Sequence, residues 1–176
     1  MTELVMPIPA EAEGEGATGV VLALFRQLHG QFRDEVSGLH AGALNWVPTR
    51  GANSIATIVT HVVGSEAETL LSLAGLPSER DRDAEFEGGV ATAERVLALL
   101  DEADDLLAAV MPGLGVERLE STVALPTLPA EETRTGLTWL IGSYGHAREH
   151  LGHLQLTRQL LEVHGSSASG PPSGSG

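Results

Sequence analysis

The chain has 176 residues, ten Arg and no Lys against 24 Asp plus Glu, a formal net charge of −14, and no Cys. This acidity repels phosphate backbones and anionic lipid, and no apolar run approaches the roughly 20 residues that span a bilayer, so neither nucleic acid nor a membrane is an expected partner. Without cysteine there is no disulfide framework, thiolate metal site or cysteine nucleophile, and thiol chemistry needs a thiol from outside.

The length, with 42% hydrophobic residues, suits one globular domain with a sizeable core. Residues 1–16, rich in Pro, Glu and Gly, predict an irregular lead-in. Glu3, Glu11, Glu13 and Glu15 without a basic stretch do not read as a secretory leader, so the expected location is cytoplasmic. A first amphipathic helix is marked by Val20, Ala23, Leu24, Leu28, Phe32 and Val36. The connection from His40 to Ala52, which holds Trp46, is short enough to join antiparallel neighbours.

The second helix carries Ile55, Ile58, Val59, Val62, Val63, Leu70 and Leu73, with Asn53 or Ser54 as N-cap and Gly75 and Pro77 as its stop. The segment Pro77 to Gly89 contains the run Glu79, Arg80, Asp81, Arg82, Asp83, which is expected to be solvated. A third helix spans Val90 to Val110 and ends at Pro112 and Gly113. The long connection to about Glu132 includes an extended stretch, Thr122 to Leu125, and predicts a crossover rather than a tight turn. The fourth helix runs from Leu137 to Leu161. Residues 165–176, nearly all Gly, Ser and Pro, cannot bury enough apolar surface to offset their ordering entropy and are expected to be a disordered tail. The fold class is all-α: a four-helix bundle over 17–164 with one long crossover.

The informative chemistry lies on the fourth helix, in Tyr144-Gly-His146-Ala-Arg-Glu-His150-Leu-Gly-His153. Residues four apart stack on one helical face, so His146 and His150 can grip one metal ion, and their row borders the core stripe Leu140, Tyr144, Ala147, Leu151 and Leu154. A catalytic site of this type commonly has three protein ligands and an open position. His61, among Ile58, Val59, Val62 and Val63, is the candidate third, because an unpaired imidazole there is costly. Three nitrogens suit zinc, nickel, copper or iron rather than magnesium or calcium. Spacing alone does not separate such a site from satisfied helix-face histidines. His29, His40 and His164 read as surface or satisfied residues. His153 can be a ligand, a hydrogen-bond donor to one, or a polar helix-face residue.

In order along the chain, Leu44-Asn-Trp-Val-Pro48 with Gly51-Ala-Asn-Ser-Ile55, His61, Arg80-Asp-Arg-Asp-Ala-Glu-Phe86 and His146-Ala-Arg-Glu-His150-Leu-Gly-His153 resemble the DinB-like, or YfiT-like, metalloproteins. The resemblance covers about Val20 to Leu161. It departs at His153, where those proteins usually carry Gln. It implies a four-helix bundle with His61, His146 and His150 as ligands of a divalent metal, zinc or nickel first. It also implies a small-molecule substrate and a low-molecular-weight thiol co-substrate such as bacillithiol, mycothiol or glutathione, since characterised relatives include thiol-dependent transferases and isomerases.

On that reading the metal lowers the thiol pKa and the protein needs no cysteine of its own. Trp46, Trp139 and Tyr144 are candidate pocket walls. Two other readings stay open. One is metal-dependent hydrolysis, for which Glu66 and Glu149 are the nearby carboxylates, both expected to be exposed. The other is a non-catalytic bundle acting as a binding or dimerisation module, a homodimer being the partner in that case. A phosphate loop is impossible without Lys, and Gly142-Ser-Tyr-Gly145 lies inside a helix pattern without the spacing of a nucleophile elbow.

Overall fold

The computed structural model describes residues 16–87 and 91–168. Nearly all of the expected lead-in, and residues 169–176 of the expected tail, lie outside the described residues. Four long helices make the body: α1 (Ala17–Val36), α3 (Ile55–Ala74), α5 (Ala93–Val110) and α7 (Gly136–Ala168). Between them lie the short α2 (Ala41–Leu44), α4 (Ala84–Glu87) and α6 (Val116–Glu120), and a two-stranded antiparallel ribbon. The ribbon pairs β1 (Thr122–Ala124) with β2 (Thr133–Thr135), placing Val123 opposite Arg134. Thus the extended stretch within the crossover is a strand, and α7 continues four residues into the Gly/Ser segment.

Helix ends follow the expected chemistry. Ser54 caps α3 by accepting the Thr57 N–H. Gly75 closes α3 in the left-handed region at φ 74°, where its missing Cβ removes the steric cost, and Leu76 N–H donates to the Leu71 carbonyl. Arg118 of α6 then donates to the Ser72 and Leu73 carbonyls, adding a second donor to Ser72, which also accepts the Gly75 N–H. Thr92 caps α5 by accepting the Arg95 N–H. Val90 lies outside the described residues, and α5 begins at Ala93.

The helices pack as a square in which α3 contacts α5 and α7, and α1 contacts the same two. Helices α1 and α3, expected to be antiparallel neighbours, therefore face each other across the diagonal. The intervening chain contains α2, whose Ala43 and Leu44 are buried, and it crosses the end of the bundle instead of turning tightly. One apolar cluster centres on Leu28, Phe32, Ile55, Val59, Leu100 and Leu154, and a second on Phe25, Leu70, Leu107, Met111 and Leu140. Among the described residues no helix is long and apolar enough to cross a membrane.

Between these clusters lies a buried ionic group. His29 is 0% exposed, and its Nδ1 lies 2.8 Å from Asp104 Oδ1 while its Nε2 lies 3.0 Å from Glu66 Oε2. Arg33 extends the group by donating to Asp104 and Asp101. Glu66, expected at the surface, is 1% exposed because α3 is enclosed on that face too. His29 is a satisfied core histidine, one of the two readings open to it. Burial opposes its charge, yet hydrogen bonds to Asp104 and Glu66 prevail and raise its pKa from 6.5 to about 9.

A raised histidine pKa contributes stability that is complete below 6.5 and lost as the pH climbs through about 9. Urea unfolding of the wild type should therefore weaken between those limits, and His29→Ala should flatten that dependence. The same variant should cost about 3–5 kcal/mol at neutral pH, because it leaves Glu66 buried without its partner. An unchanged unfolding midpoint in the variant would show that the ion group carries no such weight.

Candidate metal centre

His61 comes from the middle of α3, and His146 and His150 come from one face of α7, the two helices that pack against each other. One ring nitrogen from each of the three lies within 4.8 Å of the other two. His61 Nε2 and His146 Nε2 are 3.2 Å apart. Zinc held tetrahedrally at about 2.0–2.1 Å requires ligand nitrogens about 3.3 Å apart, so this pair is already spaced for an ion. His61 is buried and its two partners are half-buried.

A carboxylate sets the orientation of His61. Its Nδ1 lies 2.8 Å from Glu85 Oε2, which assigns the proton to Nδ1 and turns the Nε2 lone pair toward α7. Glu85 in turn accepts from Arg80 Nε at 2.7 Å and Nη2 at 2.9 Å, and Arg80 Nη1 donates to Glu68 Oε2 at 2.9 Å. Glu68 also accepts from the backbone N–H and the hydroxyl of Thr127, each at 2.8 Å, which ties the crossover to α3. Arg80 belongs to the run expected to be solvated. Its neighbours in that run are exposed, but its own side chain is 8% exposed, because two buried carboxylates draw it inward.

Gly64 makes room for this arrangement. A Cβ there would collide with the Glu85 carboxylate and lie 3.5 Å from Arg80 Nε. Phe86 follows Glu85 on α4, and its ring centroid lies 4.9 Å from that of His61. Sequence reasoning missed Glu85, Arg80, Glu68 and Gly64 as parts of the site. The segment Arg80 to Phe86 carried part of the family resemblance, but its alternating charges alone look like a solvated loop.

The two imidazoles from α7 are held neutral, as ligation requires. Burial, with His150, His61 and Arg80 nearby, lowers the His146 pKa from 6.5 to about 4. Burial and the neighbouring His61 and His153 also lower that of His150. His150 Nδ1 is buried without a hydrogen-bond partner. Three converging rings and an orphaned buried nitrogen fit a borderline divalent cation.

His153 is exposed and lies beside the cluster, its ring centroid 5.4 Å from that of His150. His40 caps α2, and exposed His164 lies against Trp46. A cavity of about 480 Å³ reaches His61 and His146. Of the candidate wall residues only Trp139 lines it. Trp46 instead meets His164, and Tyr144 packs edge-on against Phe25, so both serve packing. A smaller cavity of about 260 Å³, lined by Ile58, Leu156 and Leu160, reaches His150 from another side.

A profile of the DinB superfamily matches residues 12–154. Similar solved structures include a conserved protein from Enterococcus faecalis, with 14% identity, a TM-score of 0.69 and coverage of 85% of this chain and 99% of that one. YfiT from Bacillus subtilis, described as a probable metal-dependent hydrolase with an unusual four-helix bundle topology, shares 18% identity at a TM-score of 0.65, over 89% of this chain and 93% of its own. A DinB-like protein of Bacillus subtilis, YjoA, shares 15% identity at a TM-score of 0.56, over 79% of this chain and 89% of that one. No curated protein matches the chain. At these identities the solved structures show a common fold.

In metal-free protein the His146 ring should titrate near 4 and the His29 ring near 9, resolved by histidine side-chain NMR. Gly64→Ala should lower stability despite the better helix propensity of Ala, because its Cβ would push the buried Glu85 carboxylate off Arg80 and His61. By displacing Glu85 it should also weaken zinc binding about 10–100-fold, as should Glu85→Ala. Calorimetric zinc titrations that match wild type in both variants would remove Glu85 from the site.

Proposed function

The chain belongs to the DinB superfamily, and from that membership we propose that it is a divalent-metal enzyme using His61, His146 and His150 as ligands to transfer a small electrophile to a low-molecular-weight thiol. The observation that carries the reading is the convergence of three imidazoles at a cavity large enough for a small molecule. When bound, a divalent ion there supplies Lewis acidity, which makes a co-substrate thiolate available near neutral pH. Glu85 fixes the tautomer and tilt of His61, and Arg80 holds Glu85 in place. His146 and His150 stay deprotonated over the neutral range. Trp139 and Leu125 give the cavity an apolar wall, which limits water around the reacting group. A chain without cysteine, in a cytoplasmic setting where small thiols stay reduced, is consistent with taking its thiol from solution.

Hydrolysis is the second reading, favoured by the likeness to YfiT. It calls for a carboxylate free to accept a proton from water. Glu85 and Glu68 are occupied by His61, Arg80 and Thr127, and Glu66 is held by His29. Glu149 is exposed, as expected. Glu132, exposed on the cavity wall, is the carboxylate a hydrolase would use. The hydrolase reading therefore turns on Glu132, the carboxylate on that wall that no described residue engages.

Elemental analysis of the purified protein, after loading with zinc or nickel, should give about one metal per chain, and each of His61→Ala, His146→Ala and His150→Ala should lose it, since two imidazoles make a poor site. Stoichiometric binding that survives in the His150 variant would overturn the ligand set. Turnover of an alkylating substrate should require added thiol and should tolerate Glu132→Gln. Turnover without thiol, abolished by that substitution, would establish the hydrolase instead.

A further inference from the structure

Ten arginines serve a chain whose formal charge is −14, so an arginine with no anionic partner is conspicuous. Arg33, Arg80, Arg95 and Arg158 form ion pairs, and Arg118 and Arg148 form hydrogen bonds. The side chains of Arg26, Arg50, Arg82 and Arg134 form neither with any described residue, and of these four Arg82 and Arg134 line the larger cavity beside the histidine cluster. Each guanidinium lies against an aromatic ring instead, Arg82 at 5.5 Å from the Phe86 centroid and Arg134 at 5.1 Å from that of Trp139.

Those rings are themselves held. Phe86 packs on His61, and the Trp139 indole N–H donates to the Val123 carbonyl at 2.8 Å. Stacking covers a face of a guanidinium and leaves its in-plane N–H groups free, and that fork matches a carboxylate. The other charges on the wall are Arg80 and Glu68, which neutralise each other in the buried network, and Glu132. Two free arginines against one free carboxylate leave this wall positive on an otherwise acidic protein. The smaller cavity carries no Arg, Lys, Asp or Glu on its lining.

The geometry points to Arg82 and Arg134 as a recognition site for the carboxylate of an anionic co-substrate, seated in the larger cavity with its reactive end toward His61 and His146. This assignment deepens the thiol-transfer reading and rests on it for the identity of that co-substrate as a carboxylate-bearing thiol. An uncharged electrophile then has the smaller cavity as its approach.

The test is calorimetric binding of S-methylglutathione, which keeps both carboxylates and has its sulfur capped, beside its diethyl ester. The free acid should bind and the ester at least about tenfold more weakly, because hydrogen bonds to charged groups carry that much. Arg82→Gln and Arg134→Gln should each weaken the acid about tenfold without affecting the ester, whereas Leu160→Ala in the smaller cavity should leave both unchanged. Equal affinity for acid and ester, or a double Arg variant that binds the acid like wild type, overturns the site.

Cobalt-loaded protein separates this outcome from the parent reading. A visible spectrum that shifts with glutathione while the acid shows no preference over its ester removes only the arginine site. A spectrum unmoved by glutathione, with the preference intact, removes the thiol and leaves an anion site.

Discussion

α3 is enclosed by the rest of the bundle over most of its length, yet it carries His61, Glu66 and Glu68 on buried surface. A buried ionisable group is costly unless paired, and each of the three finds its partner on a different element. Glu66 reaches His29 on α1, Glu68 reaches Arg80 and the crossover, and His61 reaches Glu85 and α7. The polar faces of one helix therefore fix how the diagonal helix, the loop after α3 and the last helix sit around it. Apolar clusters supply the driving force for burial, and these pairs restrict which packing is permitted.

The same pairing separates two kinds of histidine. His29 meets two carboxylates and is held protonated, whereas His146 and His150 meet other imidazoles and are held neutral. His61 differs from both in its contacts, since its Nδ1 faces Glu85, a carboxylate that Arg80 shares. A protonated imidazole cannot bind a cation, so this sorting decides which rings can serve a metal. Arg80 thus does two things at once, anchoring the loop over α3 and keeping positive potential beside the cluster.

The four long helices, the caps of α3 and the extended stretch in the crossover were legible in the sequence, because amphipathic spacing and capping residues act over a few positions. His146 and His150 were legible as a pair for the same reason, since a separation of four on a helix is fixed by helix geometry. His61 was legible only as an awkward polar residue in an apolar stripe. Its partners were not, because Glu85 and Arg80 lie in a loop whose alternating charges look like any solvated segment. Glu66 was misread as exposed because sequence shows a helix face and not whether another helix covers it. The expected adjacency of α1 and α3 failed likewise, since connection length does not record that the loop folds its own helix across the bundle end.

By itself the sequence determined a four-helix bundle class, the absence of any internal thiol, and the row of histidines on the last helix. These depend on composition and short-range periodicity. Tertiary structure alone decided that α3 meets α7 with three imidazoles converging, that Glu85 and Arg80 stand behind His61, and that Arg82 and Arg134 share a cavity. Those outcomes depend on which buried charges find one another across the bundle, an electrostatic and steric settlement between residues distant in the chain.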